Sequence, residues 1–102
     1  MRDEIAARQR DLAALCKQFH VQRLELFGSA TSPEFDPKAS DLDFLVEFES
    51  LPISTYADTF FGLLEALETL FGRNVDLVVD SAVTNPYFRQ SIEHSKTLLY
   101  AG

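Results

Sequence analysis

The segment LDFLVEF, Leu42 to Phe48, alternates so strictly that it constrains the fold more than any other part of the chain. Leu42, Phe44, Val46 and Phe48 fall on one side of an extended backbone and Asp43, Leu45 and Glu47 on the other, the period-two pattern of a strand. An unbroken apolar face of that kind has to be covered, so the chain needs a sheet packed against other elements. Asp41 joins Asp43 by the same period, which sets two carboxylates on one side of one strand end.

The segments that could cover such a sheet have helical spacing. Ile5, Leu12, Leu15, Cys16 and Phe19 recur at three- and four-residue intervals with Arg8, Arg10, Asp11 and Lys17 between them, which predicts an amphipathic helix. QRLELF, Gln22 to Phe27, alternates as a strand and runs into a turn at Gly28-Ser29. Residues 30–40 hold two prolines and no period, consistent with a short helical turn and a loop. Beyond a turn around Pro52, Thr55 with Asp58 three positions later has the form of a helix N-cap with an acidic first turn. Phe60, Leu63, Leu64, Leu67, Leu70 and Phe71 supply that helix's buried stripe, and Gly72 is placed to stop it. NVDLVVD, Asn74 to Asp80, reads as a strand with Asp76, Val78 and Asp80 on one face. Asn85-Pro86 fits a cap and first position for a helix through YFRQSIEHSK. TLLYAG then packs on the body or adds a short edge strand. The order predicts an α/β (α+β) fold, a small mixed sheet flanked by helices, in a single domain over residues 1–102.

Folding 102 residues buries roughly 60–70% of the extended chain's surface, enough for one core and no separate substrate domain. Nine basic against sixteen acidic residues leave a net charge of −7, and no Lys/Arg block offers a polynucleotide footprint, which argues against direct DNA or RNA binding. A nucleotide can still bind an acidic protein if a divalent cation carries the positive charge. The one cysteine, Cys16, has no disulfide partner and, with only His20 and His94 as other soft ligands, no zinc-like spacing; it reads as a core residue. No window approaches the ~20 apolar residues of a membrane span, and no signal-peptide core follows the charged start, so a cytoplasmic location is expected.

Two carboxylates at i and i+2 on a strand lie about 7 Å apart along the backbone, and their ends can converge on one hard cation. Asp76 can supply a third if its strand pairs with that of Asp43. Such a cluster needs a reason, because like charges at ~4 Å repel by roughly 1–4 kcal/mol. Gly28 lets a phosphate approach the backbone closely, and Ser29 offers a hydroxyl donor and a cap for a following helical turn. Phosphate donors and a carboxylate-held metal at one end of a sheet are the requirements of two-metal nucleotidyl transfer.

Strand, Gly-Ser, loop, Asp-x-Asp within a strand, then a later strand bearing another Asp: in this order the chain resembles the DNA polymerase β-like nucleotidyltransferase superfamily. The LFGS and DLDFLVEF phrasing, the VDLV strand and the ending NPYFRQSIEHSKTLLY look specifically like the minimal nucleotidyltransferases, many of which are antitoxins paired with HEPN-domain RNase toxins. The resemblance runs from about Phe19 to Tyr100. It implies the polymerase β-like fold, ATP as substrate and Mg²⁺ as cofactor. By position it implies that Gly28 and Ser29 contact the triphosphate and that Asp41, Asp43 and Asp76 are the catalytic, metal-binding carboxylates, Asp76 also helping to deprotonate the acceptor. It further implies AMP transfer to a hydroxyl on a cognate HEPN toxin, the chain acting as antitoxin of a type VII-like pair. Eleven residues separate Ser29 from Asp41 where the family usually has ten, and Pro33 replaces a common glycine. Those departures keep open a weaker or inactive nucleotide-binding antitoxin that neutralises its partner by masking.

Other polar residues have plainer readings. Asp80 shares a face with Asp76 and is read as capping a turn, Arg89 as an exposed helix arginine able to meet a phosphate or a partner's acidic group, and His20 and His94 as surface residues. Phe35, Tyr56, Tyr87 and Phe88 lie in or beside loops, with core packing the default and a partner surface the alternative.

Overall fold

A computed structural model describes residues 2–28 and 41–102, with side chains described from Glu4 onward. In chain order it contains α1 (Arg2–Ala7), α2 (Gln9–Gln18), β1 (Val21–Phe27), β2 (Leu42–Phe48), α3 (Ile53–Phe71), β3 (Val75–Val79), a 3₁₀ turn (Asp80–Ala82), α4 (Pro86–Ser95) and β4 (Thr97–Ala101). The strands form one mixed sheet in the order β3-β2-β1-β4. β1 is antiparallel to β2 and β4, whereas β2 and β3 run parallel and are joined through α3. A small mixed sheet flanked by helices is thus the observed architecture, and TLLYAG takes the edge-strand option.

The alternation of β2 places Leu42, Phe44 and Val46 on a face shared with Val21, Leu24, Leu26 and Leu77, covered by Leu12 and Cys16 of α2 and Leu63, Leu67 and Phe71 of α3. Burial pushes the Cys16 thiol up to about 12, so it is an inert core group. α2 and α3 approach closely because Gly62 has no side chain; a Cβ there would lie 2.7 Å from the Phe19 ring. The opposite face of the sheet carries a smaller cluster, Phe27, Leu45 and Ile92, with Val78 and Val83 beside it. Through Ile92, α4 rests on this second face.

Boundaries differ from expectation at four places; the strand read over Asn74 to Asp80 is β3, Val75–Val79, with Asp80 already in the 3₁₀ turn. The first helix breaks at Arg8, where the amide bonds Ile5 O at 3.1 Å; the break carries both Ile5 and Leu12 into the same core cluster. α3 starts at Ile53 with Pro52 as its cap residue, not at Thr55. The reason is local: the Thr55 hydroxyl donates to Pro52 O at 3.1 Å instead of accepting from a helix amide, so Thr55 sits inside the first turn. β1 begins one residue earlier than Gln22, after His20 takes a left-handed φ of 58°. The other end signals hold. Gly72 caps α3 with φ 64° and donates its amide to Glu68 O, and the Asn85 side chain accepts from the amides of Tyr87 and Phe88 with Pro86 at the first position of α4. The short helical turn expected within 30–40, with Pro33 and Phe35, lies outside the described residues.

Candidate active site

The parallel pairing of β2 with β3 sets Asp43 directly opposite Asp76. Register partners leave the same face of a sheet, and neighbouring strands are only about 4.8 Å apart, so these two carboxylates are forced into company by backbone pairing alone. Asp41 stands two residues before Asp43, just ahead of β2, and is exposed; Asp76 is exposed as well, and Asp43 is half-buried. Burial first, then the charge of Asp76, then that of Asp41, raise the Asp43 pKa above its ordinary value. The charges of both Asp76 and Asp41 thus reach Asp43. Among the described residues no group of three or more His, Cys, Asp or Glu side chains is gathered closely enough to hold a metal ion.

Gly28 comes at the end of β1, one residue past Phe27, which pairs with Asp43. Its φ is 76°, and a Cβ on it would lie 2.6 Å from Asp43 Oδ2. Glycine is thus required twice, by the left-handed backbone and by the carboxylate lying over it. Its amide donates to Ser95 Oγ at 3.0 Å. Ser29 lies outside the described residues, so of the expected phosphate pair only the glycine is seen here, beside Asp43.

The donors are carboxylate oxygens, the kind a hard divalent cation takes, and the Asp43 carboxylate packs directly over Gly28, where any side chain on residue 28 would displace it.

Polar residues elsewhere on this face have definite partners. Arg89 donates to Asp80 Oδ1 at 2.7 Å and to Asp80 O at 2.8 Å, which fastens α4 to the 3₁₀ turn. The exposed arginine of the sequence reading is thus half-buried and engaged within the chain. Asp80 does open a turn, its carbonyl accepting from the Val83 amide. Glu25, read only as the polar phase of β1, is 5% exposed and pairs with Arg23 at 3.3 Å and Lys96 at 3.6 Å. Lys96 is held above its usual pKa by its hydrogen bond to Glu93 first, with the charges of Glu25 and Glu93 also raising it. Nothing in the local sequence singles out Glu25, Ser95 or Lys96, because their contacts join residues about seventy positions apart. No helix among the described residues is long and apolar enough to cross a membrane.

Comparison with known proteins identifies the family. The family model described as "Nucleotidyltransferase domain" matches residues 10–99. The chain belongs to that family. A Methanocaldococcus jannaschii relative, named provisionally as a protein adenylyltransferase, is 42% identical over 79 residues, which are 78% of this chain and 76% of the relative. A solved structure described provisionally as a minimal nucleotidyltransferase superposes with a TM-score of 0.66 at 28% identity, covering 93% of this chain and 92% of that one. A chain in the complex of a tri-AMPylated Shewanella oneidensis HEPN toxin with an MNT antitoxin gives 0.64 at 19% identity, covering 96% and 73%; at that identity the likeness is one of fold.

Proposed function

We propose that the protein transfers AMP from ATP to a hydroxyl on a partner protein of the HEPN toxin kind and thereby acts as an antitoxin. The observation that carries this reading is the forced pairing of Asp43 with Asp76, with the Asp43 carboxylate packed over the left-handed Gly28. The family, the name of the jannaschii relative and the fold of the MNT antitoxin support it.

Asp41, Asp43 and Asp76 would hold magnesium, which when bound polarises the phosphates and steadies the leaving pyrophosphate. The chain's own part is threefold. Gly28 admits the phosphates close to the backbone, with Ser29 as a further donor. The exposed Asp76 accepts the proton of the acceptor hydroxyl as its oxygen bonds to the α-phosphorus and the bond to pyrophosphate breaks. Half-buried Asp43 stays fixed between Gly28 and Asp76, which holds the reacting groups in register. A reaction that consumes ATP and needs magnesium is expected to run in the cytoplasm.

Incubating the protein with Mg-ATP and the partner, followed by intact-mass spectrometry, should give partner species heavier by whole AMP units. Asp41→Asn and Asp43→Asn should each abolish the addition; a competent partner left unmodified by the wild type would refute the reading. A second reading, neutralisation by masking with a weak or vestigial nucleotide site, is favoured by one observation: Tyr87 at the start of α4 is 82% exposed, beside Phe88, which packs edge-on against Phe27 and is 41% exposed. If the Asp→Asn variants protect cells from the toxin as well as wild type does, masking is the mechanism.

A further inference from the structure

One polar contact beside the carboxylates belongs neither to the proposed metal ligands nor to the core. The Gly28 amide donates to Ser95 Oγ at 3.0 Å, and the same hydroxyl donates to Ser91 O at 3.2 Å. Its single proton is therefore directed back along α4, leaving a lone pair for the glycine. Ser95 is the last residue of α4 and is anchored on both sides. Three residues before it, Ile92 is fully buried with Phe27 and Leu45. One residue after it, Lys96 returns its amide to Ile92 O at 2.8 Å and places its ammonium 3.6 Å from the buried Glu25. Glu25 and Phe27 both belong to β1, the strand that ends at Gly28. The helix end is thus tied to β1 by a packed side chain and an ion pair, and these ties fix where the serine hydroxyl stands.

We propose that Ser95 is a positioning residue for the phosphate-binding turn. By holding the Gly28 amide it keeps the glycine left-handed against the Asp43 carboxylate, at the strand end where the nucleotide-transfer reading puts the triphosphate. This assignment rests on the nucleotide-transfer reading for its purpose, though not for its geometry. Without the hydroxyl, the part-buried amide loses this hydrogen bond, and a glycine has no side chain of its own to add to the hold on φ 76°.

The test uses the full chain as Ser95→Ala and Ser95→Thr, with two readouts. Amide hydrogen exchange at Gly28, followed by NMR without nucleotide, should be about tenfold faster in the alanine variant, as expected for loss of one hydrogen bond. With Mg-ATP and the partner, the KM for ATP should rise roughly three- to tenfold while kcat changes little, since the bond positions the turn before chemistry begins. Ser95→Thr, which keeps an oxygen at the same place, should restore both. Unchanged exchange at Gly28 in Ser95→Ala would overturn the proposal. So would an unchanged KM in active enzyme, or a lower one, which would make Ser95 a competitor for the amide. A threonine variant as impaired as the alanine would also count against it. If wild type transfers no AMP at all, the functional reading falls, and the exchange measurement still decides whether Ser95 holds Gly28.

Discussion

Asp43 is the residue at which stability and proposed function pull apart. Its pKa is raised by burial, by Asp76 and by Asp41, so between the ordinary value of 3.8 and the raised one the folded chain binds more protons than the unfolded chain. Stability therefore falls as pH climbs through that window and is fully kept below it. In metal-free buffer Asp43→Asn should melt higher than wild type at pH 7, by a few degrees, and the advantage should vanish near pH 3; thermal melts across pH measure this. A gain that persisted in acid would mean the carboxylate charge is not its origin. Gly28→Ala tests the other half of the site. It should cost about 1–2 kcal/mol from the left-handed backbone alone and push the Asp43 carboxylate aside, so the variant should melt lower and bind Mg-ATP more weakly than wild type in calorimetric titration. Both residues stood out in the sequence, one by its spacing from Asp41 and the other by its place after a strand. The residues that hold them did not. Ser95 is an ordinary helix serine until the fold brings it to Gly28, and Glu25 is an ordinary strand glutamate until α4 covers it.

Among the elements, those with local end signals were legible. Asn85 and Pro86 announce α4 because an Asx side chain and a proline satisfy the first helical turn by themselves. Asn85→Ala should accordingly cost about 1 kcal/mol, lowering the thermal midpoint by roughly 4–8 °C. Because α4 carries Ser95, the variant should also loosen the Gly28 amide in hydrogen exchange; a midpoint within 1 °C or so of wild type would show that tertiary packing, not the cap, holds the helix start. The α3 start was misjudged since Thr55 can serve equally as cap or as first-turn residue, and the choice fell to the Pro52 carbonyl that its hydroxyl reaches. The break at Arg8 has a similar origin. A helical period continues across residue 8 in the sequence, and only the position of the core relative to Ile5 and Leu12 makes two segments of it.

At the scale of the molecule, the site exists because β2 and β3 run parallel, which requires the long α3 crossover between them. An antiparallel hairpin of the same two strands would have needed only a short loop and would have set Asp76 against a different residue. If the three carboxylates hold magnesium with ATP, that binding must stabilise the whole fold, by about 2.7 kcal/mol at a hundredfold excess over Kd. Thermal melts should show an upward shift on adding Mg-ATP to wild type, smaller with ATP and EDTA and largely absent in Asp76→Asn. Equal shifts in wild type and Asp76→Asn would remove Asp76 from the site.

By itself the sequence determined three of the four strands, the ends marked by Gly72, Asn85 and Pro86, and the acidic and glycine residues to watch, since each follows from spacing, capping or turn chemistry within a few positions; the order of elements pointed to a mixed sheet. The tertiary structure alone decided that Asp43 faces Asp76, that Glu25 is buried between Arg23 and Lys96, and that Ser95 accepts the Gly28 amide. Asp43–Asp76, Glu25–Lys96 and Gly28–Ser95 span about thirty to seventy residues of chain, and no local preference encodes them; they arise when strand register and the seating of α4 on the sheet bring distant side chains within bonding distance.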